Sequence, residues 1–161
     1  MRNFVNSIFV CYYPVVAIIG IEVNLMSALF FKLCKEFSDD DRINCLLMAN
    51  RIIELAYVSR KEGILALLEE TILGCEFAEF GLDLLLNGGT PEIIQKSLTY
   101  AIIAGNYTGS DLLNKIIITE GLVLISTPYT PPQVIARVIN SILGVQYKLE
   151  LKKDGQLQLS S

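Results

Sequence analysis

The chain has 161 residues, 52% hydrophobic and 19% charged, with seventeen Asp and Glu against thirteen Lys and Arg for a net charge of −4. This is too apolar for a disordered protein and too evenly charged for a polytopic channel, so one domain of ordinary size is expected. The acidic balance argues against a nucleic-acid partner, and the absence of histidine removes the commonest general base and metal ligand, so no enzyme, metal or cofactor is expected.

Asn3 to Ile21 carries no charge and matches the roughly 17 to 25 residues that a bilayer core demands. It reads equally as a single membrane anchor over residues 4–21, within an apolar N-terminal block 1–31, or as a core helix of a soluble bundle. If it spans, Lys32, Lys35 and Arg42 outweigh Arg2 and leave the rest on the cytoplasmic face of the inner membrane; otherwise the chain is cytoplasmic. The cysteines at 11, 34, 45 and 75 have no C-x-x-C spacing and read as reduced packing thiols.

Ser38-Asp39-Asp40-Asp41 is a helix start, with a hydroxyl cap and three carboxylates at the positive end of the dipole. From there Ile43, Leu46, Leu47, Ile53 and Ala56 predict one long amphipathic helix. Ser59 to Gly63 breaks it, and a second helical run is expected from Ile64 to about Leu73. Phe77 to Leu86 is helical up to the stop Asn87-Gly88-Gly89. Thr90-Pro91 restarts with Thr90 as cap, and Gly105 to Gly109 breaks again. Ser110 is the expected cap of the next helix to Leu124, and Thr130-Pro131 starts a last one ending near Gly144. The tail 145–161 alternates with period two and predicts a short β-hairpin.

Gly81-Leu82 followed by Thr90-Pro91 is echoed by Gly121-Leu122 followed by Thr130-Pro131. A unit of helix, break and capped helix is an αα-hairpin, which buries its apolar face only by stacking. The expected fold is therefore all-α, a compact helical bundle of stacked αα-hairpins over 32–144 with the short C-terminal β-hairpin. Glu69-Glu70 is no acid–base pair, since adjacent helical side chains diverge, and Gly88-Gly89 lacks the strand and Lys of a phosphate loop. The remaining candidate is the mixed-sign cluster Arg60, Lys61, Glu62, Glu69 and Glu70 around Gly63, suited to electrostatic contact with a protein partner.

Arg60-Lys61-Glu62-Gly63-Ile64-Leu65-Ala66-Leu67 resembles a segment of the flagellar stator A subunits, the MotA branch of the MotA/TolQ/ExbB family. The stretches from Gly81 to Glu92 and from Ile117 to Ile125 are similar to that family's cytoplasmic helices, in the same order, and Ile18 to Phe37 is similar to the exit of its second membrane helix. The resemblance covers about residues 15–144. It implies a protein-interaction role toward a rotor or stator component, with Arg60 at the position of the rotor-contacting basic residue. It also implies an inner-membrane setting and self-association. Two departures limit it. The family's acidic partner position is Leu68 here, with the acids at Glu69 and Glu70. The family's third and fourth membrane helices are reduced to about a dozen residues around Gly105, so no ion conduction of its own is expected. A soluble helical-repeat adaptor unrelated to motility is the alternative.

Overall fold

Ser38 sets the first helix by a reciprocal capping box: its hydroxyl accepts from the Asp41 N–H at 3.1 Å, and the Asp41 carboxylate accepts from the Ser38 N–H at 3.0 Å. Two orphan donors of the first turn are thereby satisfied together. The computed structural model describes residues 37–69, 74–144, 149–151 and 157–159. The segment 4–21 considered as an anchor, and Glu70, lie outside them. Among the described residues no helix is long and apolar enough to cross a membrane.

Six α-helices follow in order: α1 Asp39–Asn44, α2 Leu46–Lys61, α3 Glu76–Leu86, α4 Pro91–Ala104, α5 Gly109–Ser126 and α6 Pro132–Leu143. The long helix expected after Ser38 is broken once, where Cys45 closes α1 and opens α2. The helical run expected from Ile64 is a 3₁₀ segment, Ile64–Glu69, not an α-helix. Gly63 at φ 92° turns the chain into it, a conformation that a Cβ disfavours. Three residues per turn place Leu65 and Leu68 on one side, both 66% exposed, while Leu67 is fully buried.

α5 is the hub, packing against all five other helices. It buries Leu112, Leu113, Ile116, Ile117, Ile118, Leu122 and Ile125. A helix this buried needs smooth places where neighbours can approach. Gly121 is one, since a Cβ there would collide with Ile52 of α2; Gly81 is another, where a Cβ would press on Leu98 and Leu122. Each glycine lies five residues before the end of its helix, so the two echoed sequence units share a position and a packing role.

The restarts differ. Thr90 caps α4 as expected, accepting from the Ile93 N–H at 3.4 Å. Ser110 does not cap α5: Thr108 is the N-cap, without a side-chain bond, and the Asp41 carboxylate accepts from the Ser110 N–H instead. Thr130 does not cap α6 either. The second proline moves the start by one residue, so Pro131 is the N-cap and Pro132 the first helical residue. The β-hairpin expected over 145–161 lies largely outside the described residues, and nothing below rests on it.

Candidate protein-interaction surface

Helix ends leave carbonyls without partners, and two arginines on the α1–α2 arm supply donors for them. Arg60 reaches from the last turn of α2 to the end of α5, donating from Nη2 to the carbonyls of Leu124 at 3.3 Å, Ile125 at 3.0 Å and Thr127 at 3.0 Å. Its Nε donates to the Thr130 carbonyl at 2.9 Å. Arg42 does the same for α6, with Nη1 donating to Ile142 at 3.1 Å and Leu143 at 2.8 Å. A cation at a helix C-terminus also opposes the negative end of the dipole. Beside Arg42, Asp41 sits at the opposite pole, the N-terminus of α5. The Ser38 hydrogen bonds, with those of the Ser110 N–H and the Arg42 charge, hold its carboxyl below the usual carboxylate value.

The cluster expected to bind a partner is thus divided. Arg60 is half-buried and engaged within the fold. Lys61 and Glu62 pair with each other at 3.1 Å and stay exposed, their side chains 81% and 53% accessible. The Glu69 side chain and all of Glu70 lie outside the described residues. An unexpected residue joins the exposed pair. By binding the carbonyls of Thr127 and Thr130, Arg60 brackets Pro128 and Tyr129, and Tyr129 stands 96% exposed at φ 67°. It is the only non-glycine residue with positive φ among the described residues. The end of α2 therefore brings together an aromatic ring held through Arg60 and one charge of each sign; past Gly63 the chain continues into the exposed Leu65 and Leu68. Nothing in the sequence marks Tyr129 except its place in a loop between Pro128 and Pro131.

Two other polar features were not anticipated. Lys115 on α5 donates to the Asp111 carboxylate at 2.8 Å and lies 5.0 Å from the Tyr107 ring centroid and 5.6 Å from that of Phe77. Burial alone would lower its pKa; the Asp111 hydrogen bond and the fields of Cys75, Asp111 and Tyr107 outweigh burial, and the net shift is upward. This arrangement ties α5 to α3 and to the 105–108 turn. Glu120, half-buried on α5, has its carboxyl pushed up by burial. Of the thiols, Cys45 is buried, donates to the Ser110 carbonyl at 3.3 Å and is pushed up to about 12 by burial and by the charges of Asp41 and Asp111. Both Cys45 and Cys75 are free.

No protein-family model, curated protein or solved structure matches the chain.

Proposed function

We propose that the chain is a non-enzymatic, MotA-like protein-interaction domain, an accessory or regulatory component of a flagellar motor stator that conducts no ions itself. The contact surface in this reading is the α2 corner: Lys61, Glu62, Tyr129 and the leucine pair Leu65 and Leu68. The observation that carries it is the Arg60 bracket. Two of its hydrogen bonds hold the ends of the turn that presents Tyr129 and two more the end of α5, and a strained, exposed aromatic on a rigid support has the character of a binding hot spot. The ordered motor-like segments support the choice of rotor or stator as partner. Arg60 acts in this reading as the positioning residue of the corner and not as the contact itself.

The test is association of the full chain with purified rotor and B-type stator proteins, comparing wild type with Tyr129→Ala and with the reversed pair Lys61→Glu, Glu62→Lys. Binding weakened about tenfold by either variant, with unchanged thermal unfolding, supports the reading. No association of the wild type with either protein removes the motor from it. A soluble helical-repeat adaptor is the second reading, favoured by the matched glycines Gly81 and Gly121 in the two αα-hairpins. Carbonate-washed membranes separate the two. Retention of the full chain, and release of a chain lacking residues 1–21, favours a tethered stator component, whereas full solubility favours the adaptor.

A further inference from the structure

The α3–α4 hairpin shows two different sides. Inward it packs on α5 through Phe77, Leu82 and Leu85 of α3 and Ile94, Leu98 and Ile102 of α4, all buried. On the opposite side, four large apolar residues stand open: Phe80 at 45% exposure, Ile93 at 53%, and Tyr100 and Ile103 at 55% each. Ile93, Tyr100 and Ile103 repeat at helical spacing along α4. Phe80 and Ser97 are equally far from the middle of the Asn87–Thr90 turn, which puts Phe80 level with the interval between Ile93 and Tyr100 along the hairpin. Half of this strip would be unremarkable as scattered surface residues; exposed apolar residues on two consecutive helices are of the kind that seats the apolar side of a helix.

The charges around this apolar strip say what it would accept. On the outer face of α3, exposed Glu76, Glu79 and Asp83 flank Phe80; on α4, exposed Glu92 precedes Ile93. Against these four carboxylates the face has one ammonium, Lys96, whose Nζ lies 5.9 Å from the Tyr100 ring centroid. Glu76, Glu79 and Glu92 also complement the N-terminal dipoles of their helices. Asp83, in the second half of α3, serves no dipole; its carboxylate accepts from the Asn87 side-chain amide at 2.9 Å and keeps its charge on the surface. A second copy of this chain would bring a like-charged face to this strip, which favours a partner of opposite sign.

We propose that the outer face of the α3–α4 hairpin docks a basic amphipathic helix of a partner protein, its apolar side on Phe80, Ile93, Tyr100 and Ile103 and its Lys or Arg residues on the acidic rim. This face is separate from the α2 corner and stands independently of the motor reading.

The test uses the full chain and a fluorescent peptide about five helical turns long, with Leu on one face and Lys on its flanks. Its controls are a scrambled isomer and a version with Glu in place of Lys. Fluorescence anisotropy is expected to show binding of the Lys peptide alone, weakened by added salt. Tyr100→Asp with Ile103→Asp is expected to weaken it about tenfold or more. The charge-swapped Glu79→Lys, Asp83→Lys chain is expected to prefer the Glu peptide. Every substituted side chain is exposed, and matching thermal unfolding confirms that the variants fold. Because the corner variant Tyr129→Ala should bind the Lys peptide normally, failure here and failure of the proposed function are separate results. No binding of the Lys peptide, equal binding of the three peptides, or dimerisation of the chain that Ile103→Asp abolishes overturns the proposal.

Discussion

Tyr129 keeps its left-handed backbone at a cost of about 1 kcal/mol that glycine would not bear. Tyr129→Gly is therefore expected to raise stability by about half a kcal/mol, the gain being trimmed by the extra freedom of glycine in the unfolded chain, while weakening partner association. Tyr129→Ala keeps the strain and should leave the unfolding midpoint nearly unchanged. Urea melts of the two variants beside wild type check this, and equal midpoints would remove strain from the account. Glu120 gives a second expectation. Its carboxyl is pushed up by burial from 4.5, so above that value the folded chain holds a proton that the unfolded chain has released. Stability then falls as pH rises through the folded pKa. Glu120→Gln should flatten this slope and be the more stable protein at pH 7, read from melts across pH 4 to about 8. The thiols supply a third test: Cys45, buried and pushed up to about 12, should resist iodoacetamide in the folded protein while half-buried Cys75 is alkylated, measured by peptide mass spectrometry.

Individual helices differ in how firmly their close contacts are fixed. Gly121 faces the Cγ2 of fully buried Ile52, a methyl attached directly to a stiff β-branched carbon, whereas Gly81 faces the ends of Leu98 and Leu122, which can rotate. Gly121→Ala is accordingly expected to destabilise by about 1–3 kcal/mol despite the better helix propensity of alanine, and Gly81→Ala by less; denaturant midpoints rank the pair. At the end of α5, Arg60→Met leaves four carbonyls without their charged donor and is expected to cost about 2–4 kcal/mol. Arg60→Lys should recover only part, because an ammonium cannot span carbonyls that a planar guanidinium reaches at once. An Arg60→Glu motility phenotype would thus report the fold before it reports any rotor contact.

At the scale of the molecule, what the sequence revealed divides by distance along the chain. Ser38 with Asp41, and Thr90 before Pro91, are local caps made within three residues, and both were legible. So were the breaks at Gly63 and Asn87 and the helical character of the described residues. The internal bonds of Arg60 were not legible, because its acceptors lie 64 to 70 residues away, beyond any local pattern. Ser110 was misread for a similar reason: the acceptor for its N–H is Asp41, on another helix. The run from Ile64 looked helical because apolar spacing alone does not separate an α-helix from a 3₁₀ segment. In the proposed surface, Lys61 and Glu62 stand out in the sequence by their charge, whereas Tyr129 does not, because a positive φ at tyrosine leaves no compositional trace.

The arginine donors also impose an order on biosynthesis. Arg42 binds carbonyls 100 and 101 residues further along, and Arg60 binds carbonyls at least 64 further. At translation rates of about 5 to 20 residues per second, the α1–α2 arm is made roughly 4 to 16 s before the end of α6 exists. Its apolar residues, Ile52, Ile53 and Leu55 among them, gain their first large packing partner only when α5 emerges, and the second when α6 follows. The carbonyls that Arg42 binds come last, so closure of the bundle waits for the last helix to emerge.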